Sequence, residues 1–143
     1  MHPECPQLTR FLRGEIDPAH FPHREHVRIA FEMLRRLDFA ESVWQFSKTL
    51  RLMAIKAGRP RAFNQTITIA FLGLIAERME SDQCGDFSAF EREHAELFDK
   101  NALARWYPAA RLATAAARRI FLLPQLPLPE PTERPVSPSL NDC

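Results

Sequence analysis

The fold follows from residues 64–79, which read NQTITIAFLGLIAERM. Apolar residues occur on nearly every side of a helix of this length, among them Ile67, Phe71 and Ile75. A helix that is apolar all round buries each of its faces against other helices. We therefore predict an all-α protein in which this stretch is the central helix and Asn64 is its N-cap.

The segments on either side of this stretch also show a helical period. Apolar residues recur at i, i+3, i+4 and i+7, and no segment alternates apolar and polar residues over the length of a strand. This pattern predicts further helices over residues 8–12, 23–37, 39–57, 86–98, 101–107 and 109–121. We expect about five to seven helices in compact orthogonal or bundle-like packing.

The chain is long enough for one hydrophobic core, since it has 143 residues, of which 45% are hydrophobic. We predict a single helical domain over residues 1–123. Six of the twelve prolines lie in the last twenty residues. This composition predicts an extended or disordered Pro-rich tail over residues 124–143. The tail is either solvated or bound by an SH3-like protein partner.

Charge and hydropathy argue against several partners. Nineteen Lys and Arg residues against eighteen Asp and Glu residues give a net charge of +1, which is typical of neither a nucleic-acid binder nor a protein on an anionic membrane. The longest apolar run, Ile67–Ile75, is shorter than the ~20 residues of a membrane span. The N-terminal residues lack the pattern of a signal peptide. We expect a cytoplasmic protein. Its three widely separated cysteines, Cys5, Cys84 and Cys143, argue against a disulfide framework.

Three histidines lie close together at residues 20, 23 and 26. His23 and His26 begin the apolar stripe of the second predicted helix. The partial positive charge of a helix N-terminus disfavours the imidazolium form, so we expect both rings to be neutral, as a general base or a metal ligand must be. A purely structural alternative is that one ring caps the helix and the other is half exposed.

The central helix also begins with polar residues. On a helix that is otherwise apolar, Thr66 and Thr68 must bond back to the backbone or point into a shared polar pocket. If the starts of the two helices meet, their imidazoles, amide and hydroxyls form a polar pocket with an apolar floor. Such a pocket is typical of a small-molecule site.

Four motifs resemble those of a group of small helical bacterial proteins with no established activity. They are Phe21-x-His23-x-x-His26-Val27-Arg28-x-Ala30, the aromatic-x-x-Thr-Ile-Thr run from Phe63 to Thr68, Arg105-Trp106-Tyr107, and Leu122-Leu123-Pro124-x-Leu126-x-Leu128-Pro129. The resemblance implies that the histidine and threonine motifs form a site. In that group a histidine stands where this chain has Asn64. An amide is a poor ligand for zinc or iron, so the difference favours a hydrogen-bonding pocket over a three-histidine metal site.

We predict a small cofactor-free enzyme of the lyase or isomerase type, acting on a small organic molecule by acid–base catalysis, as in isomerisation, cyclisation or dehydration, in specialised metabolism. The predicted catalytic residues are His26 and His23, and the predicted substrate-binding residues are Asn64, Thr66, Thr68, Phe63 and Arg28.

Two alternatives stay open. One is a transition-metal site on His23 and His26, with His20, His94 or Glu25 as a third ligand. The other is a non-enzymatic interaction protein that uses its Pro-rich tail or an aromatic groove formed by Trp44, Trp106 and Tyr107. A homodimer is compatible with all of these functions.

Overall fold

The computed structural model of the protein describes residues 4–81 and 85–125. Within these ranges helices are the only regular secondary structure, and they pack compactly, so the all-α prediction is confirmed. The α-helices are α1 Pro6–Leu12, α2 His23–Leu34, α3 Phe39–Lys56, α4 Gln65–Ser81, α5 Phe87–Glu93, α6 Ala109–Leu112 and α7 Ala115–Arg119. Short 3-10 turns lie at Pro18–His20, Pro60–Ala62, Ala95–Phe98 and Ala102–Arg105.

Local capping sets the ends of the long helices. The Asp38 carboxylate accepts a hydrogen bond from the Glu41 amide at the start of α3, at 2.8 Å. The Asn64 side chain caps α4 in the same way, with its Oδ1 2.9 Å from the Ile67 amide nitrogen. Gly58 follows α3 with a φ of +71°, a conformation that glycine adopts without strain. The N-cap predicted at Asn64 is therefore present.

Three predicted helices after α4 differ from those observed. The helix expected over residues 86–98 ends at Glu93, because His94 adopts a non-helical backbone conformation. The segment 101–107 forms a 3-10 turn only. The helix expected over residues 109–121 is divided into α6 and α7. The cause is Thr114, whose hydroxyl caps α7 by accepting the Ala117 amide at 3.1 Å.

Helix α4 packs against α2, α3 and α7. The fully buried core of the described chain includes Phe11, Ile29, Phe31, Met33, Leu72, Ile75, Phe90 and Leu97. Several apolar residues of α4 are only half-buried. Ile67 and Phe71 line one cavity, and Ile69 and Ala70 line a shallow groove on another side of the helix. These two faces of α4 therefore border open space.

Thr66 ties the chain after α7 to the start of α4. Its hydroxyl donates to the Ile120 carbonyl at 2.7 Å and accepts the Leu122 amide at 3.0 Å. The Tyr107 hydroxyl donates to the Leu122 carbonyl at 2.8 Å. These bonds hold α7 against α4.

We expect the Thr66→Val substitution to lower the free energy of unfolding by about 1–2 kcal/mol, because two backbone groups then lose their shared partner. Thr68→Val is the matched control. Among the described residues, the Thr68 hydroxyl bonds only to the carbonyl of Asn64, the N-cap residue of its own helix, at 2.7 Å. We expect that variant to be nearly neutral. Urea denaturation of both variants tests the difference, and equal losses would contradict it.

Some predictions fall on residues outside the described ranges. They are the Pro-rich tail beyond Gln125, the closing motif residues Leu126 and Leu128, and the cysteines Cys84 and Cys143. Cys5 is a buried free thiol. None of the helices in the described part of the chain is long and apolar enough to cross a membrane.

Candidate functional site

A cavity of about 250 Å³ is bounded by the first turns of α2 and α4, and we call it the histidine cavity. Its polar lining consists of His23, His26, Asn64, Thr68 and Lys100. Its apolar lining consists of Val27, Ala30, Phe46, Leu50, Ala62, Ile67, Phe71, Leu72 and Ile75. No acidic residue of the described ranges lines it. The structure therefore brings together the polar starts of the two helices.

The His26 ring is held in one orientation by its neighbours. Its Nε2 atom lies 3.1 Å from the Phe21 carbonyl oxygen, and the ring stacks on Phe21 with the ring centroids 4.1 Å apart. A carbonyl oxygen can only accept, so Nε2 carries the proton and donates it. The Nδ1 atom of the neutral ring then keeps its lone pair.

Burial lowers the pKa of His26 from 6.5 to about 4, because the charged imidazolium loses its hydration. The charge of His23 lowers this pKa further, while the bond to the Phe21 carbonyl acts in the opposite direction. His26 is therefore neutral at physiological pH.

His23 is oriented in a similar way. Its Nε2 atom lies 3.0 Å from the Leu97 carbonyl oxygen. The His23 ring also makes an edge-to-face contact with the Phe71 ring, with the two ring centroids 5.0 Å apart. The carbonyl again requires the proton on Nε2. Each imidazole of the histidine cavity thus has its Nε2 committed to a backbone carbonyl.

The amide of Asn64 has a structural role at the cavity wall. Besides capping α4, its Nδ2 donates to the Leu112 carbonyl at 2.8 Å. Both ends of the amide are therefore engaged. Thr68 donates its hydroxyl proton within α4, so its oxygen can still accept a hydrogen bond from a ligand.

Three predicted substrate-binding residues do not line the histidine cavity. Thr66 lies two residues from Thr68, about 200° away around the helix, and its hydroxyl is bonded to the chain after α7. Phe63 is buried and borders a different depression. The Arg28 guanidinium lies over the Phe87 ring, 5.7 Å from its centroid. The structure thus separates these residues from the imidazoles.

The four histidines proposed as metal ligands do not come together. His20 is exposed and pairs with Asp17, with Nδ1 2.9 Å from the carboxylate oxygen. His94 is buried against Phe90. Neither His20 nor His94 borders the histidine cavity. Among residues 4–81 and 85–125, no group of three His, Cys, Asp or Glu side chains is placed to hold a metal ion. Within the described chain, the predicted metal set is not assembled.

The predicted aromatic groove is only partly formed. Trp106 and Tyr107 line the shallow groove beside α4, together with Ile69 and Ala70. Trp44 borders other depressions, on α3, and Lys48 lies over its ring at 4.7 Å. The three aromatic residues therefore do not share one surface.

Lys100 is a lining residue that sequence reasoning did not find. It lies between two 3-10 turns, where the sequence has no helical period that would indicate its position. It places an exposed positive charge at a cavity that no acidic residue of the described part of the chain lines.

Comparisons with protein-family models, with curated proteins and with solved structures find no match to the chain.

Proposed function

We propose that the protein is a cofactor-free enzyme that catalyses proton transfer on a small organic molecule bound in the histidine cavity. The observation that carries this proposal is the pair of imidazoles of His23 and His26, each of which has its Nε2 bonded to a backbone carbonyl, so that Nδ1 is left for the substrate. An apolar wall with a few convergent polar groups is typical of a small-molecule site. The volume of about 250 Å³ limits the substrate to a small molecule.

The two imidazoles have different roles in this proposal. A base is most effective when its pKa lies near the working pH, and the pKa of His26 is about 4. His26 therefore accepts a hydrogen bond from the substrate and orients it. We assign the proton transfer to Nδ1 of His23, the other imidazole of the cavity. The sequence-based prediction named His26 as the first catalytic residue.

The surroundings of His23 favour the negative charge that forms on the substrate. When Nδ1 takes a proton, the bonding electrons stay on the substrate as an anion. The first turns of α2 and α4 carry partial positive charge, and Lys100 adds a full one. Return of this proton from Nδ1 to another atom of the substrate completes an isomerisation. Transfer of the same proton to a hydroxyl group of the substrate, which then leaves as water while the anion's electron pair forms a double bond, completes a dehydration.

A binding screen with a cavity-filling variant tests the proposal. Ala30 is buried and lines the histidine cavity, so Ala30→Phe fills the space and keeps both histidines. Ala40→Phe, at an exposed position of α3, is the matched control. We expect small organic molecules found by protein-observed NMR to bind the wild type and Ala40→Phe, and to bind Ala30→Phe at least about tenfold more weakly. Ligands that bind all three proteins equally would contradict the proposal.

A further inference from the structure

A second depression, of about 390 Å³, shares no lining residue with the histidine cavity. Residues of the segment 60–65 line the two sites alternately. Ala62 and Asn64 border the histidine cavity, whereas Arg61, Phe63 and Gln65 border the second depression. Its full lining is Arg51, Ile55, Pro60, Arg61, Phe63, Gln65, Arg118 and Arg119.

Four arginines from three separate elements thus surround one depression, and we call them the arginine cluster: Arg51, Arg61, Arg118 and Arg119. Among residues 4–81 and 85–125, no acidic residue lines this depression. In the described ranges, no carboxylate forms an ion pair with any of the four guanidinium groups. Four like charges repel one another here, and a bound anion would relieve that repulsion.

The near-neutral net charge conceals a separation of charge along the chain. Residues 42–76 contain five Lys and Arg residues and no Asp or Glu residue. Residues 77–99 contain eight acidic residues and two arginines. The first range contributes Arg51 and Arg61 to the arginine cluster. A net charge of +1 therefore does not exclude a local anion site.

The bonds around α7 hold the cluster together. Thr66 binds the chain at Ile120 and Leu122, directly after Arg118 and Arg119. The Arg118 side chain donates to the Ala113 carbonyl at 3.1 Å, which restricts its movement. Arginine has five donors in a fixed plane, a geometry that matches phosphate oxygens.

We propose that the arginine cluster binds a small soluble anion that carries at least two phosphate groups. A single carboxylate would leave most of the four positive charges uncompensated. The arginines surround one depression, whereas a nucleic-acid backbone is usually followed by charges along an extended groove. The observations thus favour a compact oligophosphate over a polymer. This site is independent of the proton-transfer function proposed for the histidine cavity.

Calorimetric titration of the full chain with pyrophosphate tests this proposal. Arg61 and Arg119 are exposed, so Arg61→Ser and Arg119→Ser should fold normally, as unfolding temperatures will show. Arg92→Ser is the matched control, because Arg92 is exposed and borders neither site. We expect each cluster variant to bind pyrophosphate about tenfold more weakly than the wild type, and Arg92→Ser to bind equally well. Affinity should fall with added salt, and orthophosphate should bind more weakly than pyrophosphate.

Two results would overturn the proposal. One is that pyrophosphate does not bind the wild type at low salt, whether or not a single-stranded oligonucleotide or anionic lipid vesicles bind it. The other is that Arg92→Ser weakens binding as much as the two cluster variants do. Either result leaves the Ala30 experiment unaffected, so failure of this site is distinguishable from failure of the proton-transfer function.

Discussion

Acidification from pH 6.5 to pH 4 is expected to lower the free energy of unfolding of the wild-type protein by about 3 kcal/mol, because His26 is protonated more easily in the unfolded chain than in the folded one. Burial and the charge of His23 lower the pKa of His26 from 6.5 to about 4 in the folded protein. Between these two values the unfolded chain binds a proton at this position and the folded chain does not. The free energy of unfolding therefore decreases as the pH is lowered through this window. The stabilising contribution of the neutral His26 ring is fully present above pH 6.5.

The comparison of two variants isolates this effect from the acidic residues, which titrate in every form of the protein. His26→Gln removes the ionisable ring, and its amide can still donate to the Phe21 carbonyl. His20→Gln removes an exposed histidine. Urea denaturation across the pH window should show a shallower pH dependence for His26→Gln than for the wild type, with His20→Gln close to the wild type. Parallel curves for all three proteins would show that His26 is not the buried neutral group described above.

His23→Gln is expected to lower kcat/KM by about 100- to 10,000-fold for a molecule that the protein turns over, because the proton acceptor is lost. The glutamine amide can still donate to the Leu97 carbonyl, so the fold should change little. A change in the free energy of unfolding below about 1 kcal/mol would separate catalysis from stability. Steady-state kinetics with a ligand from the Ala30 screen measures the effect.

The matched variant for this prediction is His94→Gln. Like His23, His94 packs on an aromatic ring, but it is buried outside the histidine cavity. We expect it to lose stability and to keep its kcat/KM within about threefold of the wild type. If His94→Gln and His23→Gln lose activity equally, the assignment of proton transfer to His23 is wrong.

The sequence predicted correctly those helices that are defined by an apolar stripe or by an N-cap residue. The apolar stripe of α2, the Asp38 cap of α3 and the Asn64 cap of α4 each depend on residues within a few positions of one another. The elements after Glu93 are only four or five residues long, too short for an apolar stripe to define their ends. A single hydroxyl, that of Thr114, divides the last predicted helix, and its preference for capping competes with an otherwise continuous helical pattern.

The site was predictable where it depends on the first turns of two helices. His23 and His26 are three residues apart on α2, so their common face followed from the helical period. The same period separates Thr66 from Thr68, and that geometry excludes a shared pocket for the two hydroxyls. Lys100 could not be found in this way, because long-range packing alone brings it to the cavity.

The proton-transfer function is tested most directly by the imidazole ¹⁵N NMR spectrum of the wild-type protein at neutral pH, assigned with the His23→Gln and His26→Gln variants. For both rings we expect a protonated Nε2 and an unprotonated Nδ1, with a shift of the Nδ1 resonances when a ligand from the Ala30 screen is added. A charged His26, the opposite tautomer in either ring, or Nδ1 resonances that do not respond to such a ligand would contradict the proposed proton-transfer site.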